Sequence, residues 1–254
     1  MWKIAVWLVA LSVVLGGCGP STKTAATTLP LTGNLTVFAA ASLTEAFTAE
    51  KATLASKAPH LTVTYSFAGS QALVTQIQQG APADVFASAD QKSMQKLVDA
   101  GLVDAPRVFA RNKLEIVVAP GNPKHITGLA DLAQPGLVVV LEDPSVPAGA
   151  YSRQALQKAG VTVKPKSLEL DVKSTLAKVT SGEADAAIVY VSDVQSAGTR
   201  ATGVAIPDAQ NVVATYPVAV VKASKNHAAA TAFVDEVVSG SGQAALRHQG
   251  FLAP

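Results

Sequence analysis

The residues of this chain best suited to chemistry are small and uncharged, and they recur in one arrangement. A strand-like run is followed by serine or other small residues, and then by the start of a helix. Ala39-Ala40-Ala41-Ser42-Leu43-Thr44-Glu45 is the clearest instance. Its Ser42-x-x-Glu45 spacing predicts a capping box, with Ser42 at a helix N-cap directly after a strand. Ser66-Phe67-Ala68-Gly69-Ser70-Gln71 repeats the arrangement, Gly69 freeing the backbone and Ser70 opening the next helix. Pro147-Ala148-Gly149-Ala150 opens a third helix and Asp171-Val172 a fourth, with Asp171 as a natural cap. A helix start presents N–H groups without an intrahelical acceptor and a partial positive charge, so it holds anions without lysine or arginine. Singly, each is an ordinary helix cap. Four that follow strands, with residues small enough to let an anion approach, suit the crevice at the strand ends of an open α/β sheet. Spacing alone leaves an anion binder as one open reading.

Other chemistries find no support. The chain has no Gly-x-x-x-x-Gly-Lys phosphate loop, no complete dinucleotide fingerprint and no Gly-x-Ser-x-Gly elbow. His60, His125, His227 and His248 are scattered without metal-ligand spacing, so no metal centre is expected, and nothing reads as an enzyme or calls for a cofactor. Formal net charge is +2 with only 15% charged residues and no basic block, which argues against a nucleic-acid partner.

The elements that must position these stations alternate along the chain. Strands are expected at 35–38, 61–67, 85–87, 114–119, 137–141, 186–190 and 217–221. Helices are expected at 43–54, 70–79, 91–100, 148–159, 172–180, 226–239 and 241–248. Such alternation predicts α/β layers with mostly parallel pairing, and 254 residues suit two lobes.

The N-terminus is a targeting segment. Met1-Trp2-Lys3 supplies a positive start, and an apolar run from 4 to 15, broken only by Ser12, is too short to span a bilayer as a stable helix. Leu15-Gly16-Gly17-Cys18 closes it and resembles the bacterial lipobox, in which the cysteine is lipidated; residues 1–18 are then the signal peptide. Cys18 is the only cysteine, which makes sense as an acyl attachment point and leaves no thiol for disulfides or catalysis. Residues 19–33 have the composition of a flexible tether. The expected location is therefore extracytoplasmic, lipid-anchored to the cell membrane, in the periplasm or on the outer face.

Longer strings carry a resemblance. Val37-Phe38-Ala39-Ala40-Ala41-Ser42-Leu43-Thr44, Ser66-Phe67-Ala68-Gly69-Ser70 and Gly80-Ala81-Pro82-Ala83-Asp84-Val85-Phe86-Ala87-Ser88-Ala89-Asp90 are similar to the molybdate-binding protein family of ABC importers. So are Asp143-Pro144-x-Val146-Pro147-Ala148-Gly149-x-Tyr151, Ile188-Val189-Tyr190-x-Ser192-Asp193 and Tyr216-Pro217-Val218-Ala219-Val220-Val221, in family order across nearly the whole mature chain.

The resemblance implies a two-lobed type II periplasmic-binding-protein fold with the ligand in the interlobe cleft. Lobe I would comprise 31–113 plus 221–254 and lobe II 114–220, with strands near 114–119 and 216–221 crossing between them as a hinge. Carried over by motif, Ser42 and Ser70 would give hydroxyl and amide, Ala148 and Val172 amides, and Tyr190 its phenolic hydroxyl. The ligand implied is molybdate or tungstate, its metal held only as an oxyanion, and the partner an ABC importer permease; a monomer is expected. Sulfate, phosphate or an organic anion remains an alternative ligand, and an enzyme on the same fold an alternative class.

Overall fold

The computed structural model describes residues 31–254, so the signal peptide, Cys18 and most of the expected tether lie outside the described residues. Strand β1 (Thr32–Ala40) already begins inside the segment expected as tether. A 3-10 turn at Ala41–Leu43 leads into α1 (Thr44–Lys57), followed by β2 (His60–Ala68), α2 (Ser70–Gln78), β3 (Val85–Ala87) and α3 (Gln91–Asp99). Strand β4 (Arg107–Val118) enters a second set: β5 (Val139–Glu142), α4 (Pro147–Ala159), β6 (Ser167–Glu169), α5 (Val172–Thr180), β7 (Ala186–Tyr190), α6 (Val191–Ala197) and β8 (Thr202–Ala205). Then β9 (Val213–Val220), α7 (His227–Ser239) and α8 (Gly242–His248) close the chain.

The strands run in the order β2-β1-β3-β9-β4-β7-β5-β6, with β8 added alongside β4. The fold is α/β, but parallel and antiparallel pairings are evenly divided rather than mostly parallel. Four pairs (β1 with β2, β1 with β3, β5 with β6, β5 with β7) are parallel. The four pairs that involve β4 or β9 are antiparallel. Helical crossovers generate the parallel pairs in each half, whereas β4 passes between the halves and runs antiparallel to β9, β7 and β8.

β4 changes partners in mid-strand. Arg107–Lys113 pairs with β9, and Leu114–Val118 pairs with β7. The expected strand at 114–119 is thus only the second half of a longer one, its first half obscured in the sequence by the exposed Arg107 and Arg111. At the change-over, the Asn211 side chain takes the place of a neighbouring strand. Its Oδ1 accepts from Leu114 N at 3.0 Å and its Nδ2 donates to Leu114 O at 2.8 Å. The return crossing falls at Asn211–Val213, because all of β9 is bonded to β3 or to the first half of β4. The strand expected at 217–221 thus begins at Val213 and pairs only with β3 and the first part of β4.

Apolar residues fill the space between sheet and helices on both sides. Phe47, Tyr65, Phe109 and Phe233 form an aromatic cluster in the first half. Tyr216 continues it, its ring edge-on to Phe109, Tyr190 and Phe251, so the two halves meet on aromatic rings.

Candidate functional site

At the carboxyl ends of β1, β2, β5, β6 and β7, five turns into helices converge. The small cavity between them, about 10 Å³, is lined by Ala40, Ala41, Ser42, Gly69, Ser70 and Ala89 from the first half. Val146, Pro147, Ala148, Val172 and Tyr190 line it from the second. All five residues singled out from the sequence, Ser42, Ser70, Ala148, Val172 and Tyr190, therefore face one space. A larger groove runs past Gln91, Met94 and Pro217, but it meets only one helix start, that of α3.

Each station is built locally. Ser42 is not the N-cap of a capping box: it lies inside the 3-10 turn, Leu43 caps α1, and neither makes a side-chain cap bond. The Ser42 hydroxyl instead meets the Tyr216 hydroxyl at 2.9 Å, and Glu45 pairs with Lys173. Ser70 is the first residue of α2 after Gly69, and its Oγ accepts from Ala89 N at 3.0 Å, leaving its proton to donate elsewhere. Pro147 occupies the first turn of α4, where its missing N–H costs nothing, and places Ala148 on the cavity wall. Asp171 caps α5 as the sequence predicts, accepting from Ser174 N at 2.9 Å, so Val172 opens that helix.

Tyr190 ends β7 and is 1% exposed. Its hydroxyl is buried without a hydrogen-bond partner while the residue lines the cavity. Burial pushes its pKa well above the ordinary phenol value, so the group stays a donor. A buried donor with no partner is costly unless a ligand satisfies it. No charged side chain lines the cavity. The serine and tyrosine hydroxyls and the N–H groups of the helix starts give it hydrogen-bond donors without charge, an arrangement able to hold a small anion.

Charge is held one layer back. Asp193 is fully buried, accepts from Tyr190 N at 3.2 Å and lies 3.0 Å from Lys173 Nζ. Burial raises the Asp193 carboxyl above its usual range, and Lys173 opposes that rise. Lys173 is itself partly desolvated, yet Asp193 and Glu45 hold it above its ordinary value and therefore protonated.

The sequence reading missed Tyr216, Ala89 and Lys173. Ala89 stands in the quoted string Ala87-Ser88-Ala89-Asp90 but has no side-chain chemistry to mark it. Tyr216 is 174 residues from its partner Ser42, and no local signal links them.

The profile of the bacterial extracellular solute-binding proteins matches residues 35–252. The molybdate-binding protein ModA of Mycobacterium tuberculosis is 42% identical over 256 residues, covering 99% of this chain and 98% of the relative. Among solved structures, the substrate-binding domain of a candidate molybdenum ABC transporter from Clostridium difficile is 31% identical, with a TM-score of 0.66 over 87% of this chain and 99% of that one. The sulfate-binding protein SubI of Mycobacterium tuberculosis superposes with a TM-score of 0.78 at 22% identity over 86% of each chain, a likeness of fold alone. The fold and cleft are those of a periplasmic binding protein. The chain belongs to the bacterial extracellular solute-binding protein family.

Proposed function

We propose that this protein captures molybdate or tungstate outside the cytoplasm and delivers it to the permease of an ABC importer. The observation that carries the reading is the convergence of Ser42, Ser70, Ala148, Val172 and Tyr190 on one uncharged cavity containing an unpartnered buried hydroxyl. The 42% identity to a molybdate-binding protein over nearly the whole chain supports this choice among oxyanions.

The donors come from two lobes, 31–113 with 213–254 and 114–212, joined at the Lys113–Leu114 and Asn211–Val213 crossings. An anion entering between them draws serine donors from one side, and Ala148, Val172 and Tyr190 from the other. Binding thus favours the closed arrangement that an importer would recognise. A wholly deprotonated tetrahedral dianion needs donors only. Hydrogen phosphate also brings a proton, and no carboxylate lines the cavity to accept it. Sulfate has no such proton, so its rejection rests on size. The protein acts as a binding protein and not an enzyme, as a monomer, and needs no cofactor.

Among the described residues no helix is long and apolar enough to cross a membrane. Anchoring is assigned to lipidated Cys18, and loss of fatty-acid labelling in Cys18→Ser tests it. For the ligand, the test is thermal melting of purified protein stripped of anion. Micromolar molybdate or tungstate should raise the melting temperature by several degrees, since ligand a hundredfold above Kd contributes about 2.7 kcal/mol. A larger shift with sulfate or phosphate would overturn the molybdate assignment, and no shift with any oxyanion would overturn the binding reading itself.

A further inference from the structure

Two side chains of the first half reach across the cleft and grip the start of α5 on either side of Val172. Gln71, in the first turn of α2, donates from Nε2 to Leu170 O at 2.9 Å. Glu45, in the first turn of α1, accepts from Lys173 Nζ at 2.6 Å. Lys173 also lies 3.0 Å from Asp193 and donates to Ser196 Oγ at 3.2 Å, both on α6. Asp193 in turn accepts from the Tyr190 backbone N–H. One ammonium group therefore ties the lobe carrying Ser42 to the two cavity elements carrying Val172 and Tyr190, although it lines no part of the cavity itself.

We infer that the Glu45–Lys173–Asp193 cluster is a cross-cleft latch, with Lys173 a positioning residue that holds the closed lobes together and sets the lifetime of the bound anion. The inference rests on the oxyanion-binding reading above. The physical reason is a division of labour. The cavity is neutral and cannot hold the lobes by charge, and the Lys173–Asp193 pair stays within one lobe whether the cleft is open or shut. Within the cluster only Glu45 comes from the opposite lobe, so its bond is the charged one made on closing and broken on opening, beside the neutral Gln71–Leu170 bond. Lys173 is three-quarters shielded and Glu45 about two-thirds shielded, so the pair is screened less than one on an open surface. Removing its charge should act on release and leave capture alone.

Glu45→Gln is the informative variant, because Lys173→Met would leave Asp193 as an unpaired buried charge and could disturb folding. In stopped-flow measurements with molybdate, Glu45→Gln should dissociate about three- to tenfold faster with an unchanged association rate. Added salt should speed release from the wild type and have little effect on the variant. Small-angle scattering supplies a readout independent of ligand identity, the variant giving a larger radius of gyration. Unchanged dissociation and unchanged radius in Glu45→Gln would overturn the latch. Failure of the wild type to bind molybdate, together with a larger radius in the variant, would overturn the ligand assignment and leave the latch standing.

Discussion

The Tyr216 hydroxyl lies 2.9 Å from Ser42 Oγ, joining the first strand–helix turn of the cavity to the strand that returns from the second half of the sheet. Ser42 is thereby oriented by a residue that does not line the cavity. Tyr216→Phe should leave Ser42 in place but unsteered, lowering molybdate affinity by about 0.5–1.5 kcal/mol, roughly two- to tenfold. Ser42→Ala removes the donor itself and should cost more, about 1.5–3 kcal/mol for a bond to a charged group. Calorimetry with the two variants side by side checks the order; equal affinities in wild type and Ser42→Ala would remove Ser42 from the site.

Tyr190 should separate stability from function. Its hydroxyl has no hydrogen-bond partner, so Tyr190→Phe should not lower the melting temperature of ligand-free protein and should raise it slightly. The same substitution should weaken oxyanion binding by about 1.5–3 kcal/mol. A loss of stability without a loss of affinity would show that the hydroxyl serves the core and not the ligand.

Two glycines should fail in different ways when given a methyl group. A β-carbon on Gly69 would lie 2.5 Å from Leu170 O, across the cleft. Gly69→Ala should therefore obstruct closure, reducing affinity tenfold or more, on the order of 1.4 kcal/mol or greater, with little change in unliganded melting. A β-carbon on Gly149 would collide with the backbone carbonyls of Asp143 and Glu142 in its own half. Gly149→Ala should destabilise the folded protein by about 1–3 kcal/mol, seen in denaturant titration. Matching behaviour of the two variants would contradict this division.

Glu142 predicts a pH dependence. It ends β5, is 1% exposed, and neither carboxyl oxygen has a hydrogen-bond partner. Burial pushes its pKa up to about 8 from 4.5. Between those values the folded protein holds a proton that the unfolded chain releases, so stability falls as pH rises through this window. The contribution is fully present below the unfolded pKa and is lost as pH passes the folded one. Glu142→Gln cannot titrate, and its melting temperature should fall less than the wild type's between about pH 5 and 9. Parallel pH profiles for the two proteins would rule out Glu142 as the source.

The strand-to-helix stations were legible in the sequence because their signals are local. Small residues after a β-branched run, a proline at a first helical turn and an Asp cap act within a few residues of themselves, and Asp171 caps α5 as predicted. Longer strings such as Ser66-Phe67-Ala68-Gly69-Ser70 carried the family resemblance and, with it, Tyr190. What local pattern could not decide was pairing at a distance. The Ser42-x-x-Glu45 spacing satisfies the rule for a capping box. In the fold a stronger competitor exists for each partner: Tyr216 meets the serine hydroxyl and Lys173 takes the glutamate. The equal mixture of parallel and antiparallel pairs, and the change of partner at Lys113–Leu114, likewise depend on two strands far apart in the chain. The sequence by itself determined where four helix starts would form, since capping and turn chemistry are short-ranged. Only the tertiary structure decided that these four and a fifth after β7 share one neutral cavity, because that requires two halves to close on each other through Asn211, Tyr216 and Lys173.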